Sequence, residues 1–130
     1  MEIFNRNNSN HTGPLPILTS WMLISPKKSP TRNLSVQISE IPAGSGQPIH
    51  KHEPEQCYYI IKGKGLMMIE EESKEVYAGD AIYIPSNSNH GIKNIGDAVL
   101  EYLTVNAPAF SAQYESSLWP SAPSNSEGSL

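Results

Sequence analysis

Residues 50–63 read HKHEPEQCYYIIKG. Two histidines one residue apart are followed by acids, a glutamine and a run dominated by tyrosine and isoleucine. Aromatic and β-branched residues at this density predict a strand, and along a strand side chains two apart project from the same face. His50 and His52 then stand side by side, within reach of one ion. On the following strand Gln56, Tyr58 and Ile60 share one face, and Cys57, Tyr59 and Ile61 the other. An HxH pair alone is more often a pair of exposed polar residues than a pair of ligands, so its meaning depends on the chain around it.

The same pattern extends in both directions. WMLIS at 21–25 is a short apolar run, and NLSVQISEI alternates Leu34, Val36 and Ile38 with Ser35, Gln37 and Ser39, the period of a half-buried strand. The loop between them carries Lys27, Lys28 and Arg32 and reads as a solvated turn. Further apolar runs, CYYII, LMMI, AIYI and AVLEYLTV, are each bounded by Gly, Pro, Asn or Asp. No stretch carries a helical stripe, and turn signals recur about every ten residues, which predicts an all-β antiparallel barrel or sandwich. Residues 1–19 read as a polar arm, 20–110 as the barrel, and the Ser- and Pro-rich 111–130 as a tail that Tyr114, Leu118 and Trp119 could anchor.

A chain of 130 residues is the size of one domain. Its net charge of -4 offers no basic face for nucleic acid. One cysteine, Cys57, excludes an internal disulfide framework, and on its strand it faces away from Gln56, as a buried or interface thiol would. MEIFNRNNSN lacks the features of a secretory signal, and no apolar run approaches the ~20 residues of a membrane span, so a soluble cytoplasmic protein is expected. LMMI at 66–69 is apolar on both strand faces, which predicts an outer surface covered by a second copy, with Trp21 and Leu23 contributing; the intramolecular alternative is a cover by the arm or by Trp119.

A third histidine, His90, follows a strand and a turn about forty residues beyond the pair, where an antiparallel fold can return it to the same place. The spacing of these elements resembles the cupins, small β-barrels whose first motif is Gly, five residues, HxH, three or four residues, Glu, six residues, Gly. Here Gly44, His50, His52, Gln56 and Gly63 fall at those spacings, with Gln56 where the family has Glu. The second motif is Gly, five residues, PxG, two residues, His, three residues, Asn. It is met by Gly79, Pro85, Asn87, His90 and Asn94, with Asn87 in place of Gly, a residue that tolerates positive φ. The resemblance spans roughly residues 20 to 108.

This resemblance implies a divalent metal ion, Fe, Mn, Ni, Zn or Cu, held by His50, His52, Gln56 and His90. An amide oxygen can ligate such an ion but brings no charge, so binding should be weaker than with a carboxylate and the ion more Lewis acidic. Glu55 is the rival ligand, although strand alternation points it away from the site. Tyr58 shares the Gln56 face and is the candidate catalytic residue, as a hydroxyl donor or as a packed barrel tyrosine; Asn94 is a second inward polar candidate. Tyr83 and Tyr102 read as core, and His11 as solvated. The expected function is binding of, or Lewis-acid isomerase- or lyase-type action on, a small oxygenated molecule such as a sugar acid. The alternatives are a metal-dependent dioxygenase and a non-catalytic small-molecule-binding module.

Overall fold

The computed structural model describes residues 1–12 and 18–118, the last two by backbone alone, so Trp119 and the rest of the expected tail lie outside the described residues. The strands are β1 (Thr19–Ile24), β2 (Ser35–Ile41), β3 (Gly46–His50), β4 (Glu55–Lys62), β5 (Lys64–Ile69), β6 (Glu72–Tyr77), β7 (Ala81–Ile84), β8 (His90–Asn94) and β9 (Leu100–Ala107), followed by a short helix α1 (Ala112–Leu118). They form a five-stranded sheet in the order β1-β2-β9-β4-β7 and a four-stranded sheet in the order β3-β8-β5-β6. All ladders are antiparallel, and β9 enters the five-stranded sheet between β2 and β4. The architecture is the all-β barrel that the strand rhythm predicts. Among the described residues no helix is long and apolar enough to cross a membrane.

The motif glycines sit where the chain turns back on itself. Gly63, between β4 and β5, has φ +97, and a Cβ there would lie 2.7 Å from the Val99 carbonyl oxygen and 2.8 Å from Leu100 Cα. Neither backbone atom can move without opening the barrel, so this position excludes any side chain. Asn87 adopts φ 61, which is the reason an asparagine can replace the motif glycine there.

One end of the barrel is packed solid. Ile41, Tyr58, Ile60, Met67, Val76, Ile84, Ile92, Leu100 and Tyr102 form one buried cluster drawn from both sheets. Tyr58 and Tyr102 stack with centroids 4.7 Å apart and close the core towards the other end. Beyond them the inward side chains become polar. On β2 the buried positions include Ser35, Gln37 and Ser39, whereas Leu34, just before the strand, is exposed and Val36 is half-buried on the outer side. Period 2 located the strand, but its polar side faces inward, because a cavity occupies this end of the barrel.

The chain ends are docked. Arg6 donates to Glu40 at 2.9 Å and Glu101 at 2.6 Å, and its guanidinium lies 5.1 Å from the Trp21 ring centroid, so part of the expected loose arm is fastened to the outside of the five-stranded sheet. His11 pairs with Trp21 in an isolated bridge. At the other end, α1 lies within the segment expected as a tail. Its Tyr114 N–H bonds to the Ser111 hydroxyl as an N-terminal cap, and the buried Glu115 accepts from Ser25 at 2.9 Å. In the loop after β1, Lys28 is not solvated but donates to the Met22 carbonyl and the Ser9 hydroxyl.

Candidate metal centre

The site is built where β3 and β8 run side by side. His50 and His90 are directly paired across the ladder, and a register shift between Gln47 and His50 re-aims the end of β3. His52 follows in the loop, which is clasped to the turn before β8: the Asn87 N–H donates to the His52 carbonyl at 2.8 Å, and the Ser86 hydroxyl donates to the Glu53 carbonyl. The ring centroids lie 5.5 Å (His50–His52), 4.3 Å (His50–His90) and 4.9 Å (His52–His90) apart. Each ring offers one ligand nitrogen, and these nitrogens lie within 4.8 Å of one another.

Hydrogen bonding settles which nitrogens face inward. Nδ1 of His50 lies 2.9 Å from the Pro48 carbonyl, Nδ1 of His52 3.0 Å from that of Pro54, and Nδ1 of His90 2.9 Å from that of Ser88. A carbonyl only accepts, so each Nδ1 carries the proton and each neutral ring keeps its Nε2 lone pair for an ion. Burial and the charges of the neighbouring rings favour that neutral state. Burial chiefly, opposed by the Ser88 carbonyl and aided by His50 and His52, pushes the His90 pKa down to about 4. His52 is lowered by burial and by His50, against the opposing effects of the Pro54 carbonyl and the Gln56 side chain.

Gln56, 5% exposed, sits beside this cluster on the inward face of β4. Its Nε2 donates to Asn106 Oδ1 at 2.5 Å, which leaves Oε1 facing away from that bond. Among the described residues the buried side-chain polar atoms without a hydrogen-bond partner include Gln56 Oε1, His52 Nε2 and His90 Nε2. Native proteins leave few such atoms unpaired, and three gathered in one place are what a cation site requires. The donor set of three imidazoles and an amide oxygen suits a borderline divalent ion. Glu55 lies on the opposite face, exposed and accepting from the Tyr83 hydroxyl at 2.7 Å.

A cavity of about 380 Å³ opens from these residues towards solvent. Its walls carry the hydroxyls of Ser20, Ser39, Thr104, Tyr58 and Tyr102 and the amides of Gln37 and Gln47, with Leu18, Phe110 and Tyr114 at the apolar side. Among the described residues no Lys, Arg, Asp or Glu lines it. Tyr58 and Tyr102 both donate to Gln47 Oε1, at 3.2 Å and 3.3 Å. Burial holds both phenols well above the usual range, so they are hydrogen-bond donors and not bases. A second cleft, about 400 Å³ between β6 and β7, is rimmed by Glu72, Lys74, Glu75 and Asp80 and holds no histidine among the described residues.

Other residues fall elsewhere. Asn94 is buried but structural: it donates to the Ile41 and Ala98 carbonyls and accepts from the Gly96 N–H. Tyr83, expected in the core, is 62% exposed on the outside, and Cys57 is exposed beside it across the ladder. The amides Gln37, Gln47 and Asn106 were not singled out by sequence reasoning. Strand parity was the available signal for Gln37 and Asn106: Asn106 stands opposite Gln56 in the ladder, and Gln37 lies on the same inward side, opposite Thr104 and one diagonal step from Asn106.

Residues 37–106 match the family profile of the cupin domain. The chain belongs to the cupin family. It is 37% identical over 67 residues to an oxalate-binding protein of Thermotoga maritima, covering 51% of this chain and 55% of that protein. It is 32% identical over 69 residues to the dimethylsulfoniopropionate lyase DddW of Ruegeria pomeroyi, covering 53% and 45%. The match spans about half the length of these curated relatives. In fold it is similar to a crystal structure described as a predicted oxalate decarboxylase from Thermotoga maritima, with TM-score 0.73 and 22% identity over 82% of this chain and 99% of that one.

Proposed function

We propose that the chain holds a divalent metal ion through Nε2 of His50, His52 and His90 and Oε1 of Gln56, and uses it to bind a small oxygenated molecule, a carboxylate or sugar acid, in the adjoining cavity. The observation that carries this reading is the gathering of unpartnered buried acceptors at the histidine cluster. When bound, the ion supplies Lewis-acid polarisation of a carbonyl or carboxylate oxygen. Uncharged ligands and uncharged walls leave the ion as the chief counter-charge for an anion. The hydroxyls of Tyr58 and Tyr102, with those of Ser39 and Thr104, present donors or acceptors to the remaining oxygens of such a ligand. Relatives named for oxalate binding and for cleavage of dimethylsulfoniopropionate are consistent with a small carboxylate.

Tyr58 in this reading does not abstract a proton: its phenol stays protonated and donates to Gln47 Oε1, which leaves its oxygen to accept from a ligand hydroxyl. With no carboxylate or lysine among the described residues of the cavity wall, proton transfer has no strong base beyond the proposed ligands. That favours binding, or chemistry driven by polarisation alone, over acid–base isomerisation. Calorimetric titration of oxalate, glycolate and gluconate into manganese-loaded protein tests the reading. Micromolar to millimolar binding that chelator abolishes is expected; equal binding with and without chelator refutes it. Product analysis of the same mixtures separates turnover from binding.

We propose a homodimer, a reading that the exposed apolar surface supports. LMMI supplies less than its composition promises: Met67 points into the core, and Leu66 and Met68 are half-buried. Lys93 and Glu75 flank Leu66 across the ladder. The outer face of the five-stranded sheet is richer. Tyr83, Cys57, Val105 and Val36 form one cross-strand row, and Ala81, Tyr59 and Leu103 the open part of the next, which runs on to the buried Ile38 and to Trp21 beneath Arg6. Tyr59 is 46% exposed. An exposed apolar face of this kind suits isologous pairing with a second copy.

A further inference from the structure

Building on the metal reading, we infer that Asn106 is a positioning residue that decides which end of the Gln56 amide faces the histidine cluster. Unlike a carboxylate, an amide has two different ends: Oε1 can ligate a cation and Nε2 cannot. Something in the protein must therefore hold Gln56 in the competent sense. Asn106 is wholly buried on β9, directly opposite Gln56 in the ladder, and its Oδ1 accepts from Gln56 Nε2 at 2.5 Å. Its own amide is fixed in turn, because Nδ2 donates to Gln37 Oε1 at 2.7 Å and to the Ser35 hydroxyl at 2.9 Å.

These bonds join three amides in a line, Gln37, Asn106 and Gln56, across β2, β9 and β4. At each junction a donor meets an acceptor, so no amide in the line can turn over alone without setting like against like. Reversal of Gln56 requires reversal of all three in a buried setting, where an amide group left unpaired is strongly disfavoured. The neutral ligand and the amide line therefore belong together: a carboxylate in place of the Gln56 amide, with equivalent oxygens, would need no such orientation.

The test is a double-mutant cycle on the full chain, read as Co²⁺ affinity by calorimetry and visible absorption, in wild type, Asn106→Leu, Gln56→Glu and the double variant. In the wild-type background Asn106→Leu is expected to weaken Co²⁺ binding about 10- to 100-fold. In the Gln56→Glu background it should change affinity less than about 3-fold, since orientation no longer matters. A purely structural role for Asn106 would weaken both backgrounds equally, and that result overturns the inference while leaving the metal reading standing. Failure of the wild type to bind Co²⁺ overturns both. Should Asn106→Leu not fold in chelator, Gln37→Met, which removes only the acceptor that fixes the Asn106 amide, makes the same comparison. Loss beside the native Gln56 alone supports the inference, and equal loss or none refutes it.

Discussion

Replacing His90 by leucine should cost little stability without metal and abolish stabilisation by metal. His90 is 1% exposed, and its ring makes one hydrogen bond, from Nδ1 to the Ser88 carbonyl at 2.9 Å. Leucine forfeits that bond and leaves the carbonyl unpaired, at about 1–3 kcal/mol. It also removes Nε2, a buried group without a partner, which returns about the same amount. The two cancel to within about 1 kcal/mol, against the about 3–5 kcal/mol that truncating a buried ring ordinarily costs. For a chain of this size 1 kcal/mol moves Tm by about 3–5 °C. In chelator, wild type and variant should therefore melt within about 5 °C of each other by scanning calorimetry. At a free metal concentration of about 100 Kd, wild type should gain about 2.7 kcal/mol, roughly 8–13 °C, and His90→Leu nothing. A fall of about 10 °C or more in chelator, or equal metal-induced shifts, would refute the view that the residue is frustrated until an ion arrives.

Gln56→Glu, once Asn106 and Gln37 have reversed to face the carboxylate with a donor, should bind divalent metal several-fold more tightly, measured by retention on dialysis against competing chelator, because a carboxylate adds an anionic ligand; unchanged or lower retention would mean Gln56 does not face the ion. The Tyr102 pKa is raised by burial, so the folded state keeps a proton that the unfolded chain releases. Its contribution to stability is intact below about pH 10 and falls as pH rises further. Absorbance at 295 nm should show the Tyr102 phenolate, identified by its loss in Tyr102→Phe, appearing only with alkaline unfolding. Tyr59→Lys, on the outer face of the five-stranded sheet, should convert a dimer to a species near the 14.3 kDa of one chain by light scattering, leaving metal content unchanged. A wild type already at that mass refutes the dimer.

The barrel was legible because its turns are spelled by residues with few conformational substitutes. Gly63 is fixed by the backbone of Val99 and Leu100, and Asn87 could be recognised as a glycine stand-in from its tolerance of positive φ. The histidines were legible through motif spacing; strand alternation suggested the His50–His52 pair, but His52 lies in the loop after β3 and is brought in by the clasp to the turn before β8. Which way β2 faces was not: an alternating strand reads the same whether its apolar side meets a core or a neighbour, and only the sheet order shows that Gln37 and Ser39 line a cavity. The amide line was hidden for a related reason. Its members are 69 and 50 residues apart in sequence and meet only through ladders that no local pattern specifies. Helix α1 is seven residues long, too short for a periodic stripe, and its signal was the capping Ser111.

The position of β9 orders events during synthesis. Until residues 100–107 emerge, β1-β2 and β4-β7 are two separate pairs with no ladder between them. The histidines are by then already made, but Gln56 has no Asn106 opposite it and the barrel wall is open along its length. A nascent chain at that stage exposes two unpaired strand edges, on β2 and β4, flanking the gap that β9 will fill. Closure by so late a strand joins residues far apart in sequence, the kind of contact that folds slowly. A metal captured before that closure would meet loose histidines in an open trough, and the choice of ion at that moment would rest on supply in the surroundings instead of on the geometry of the finished cage.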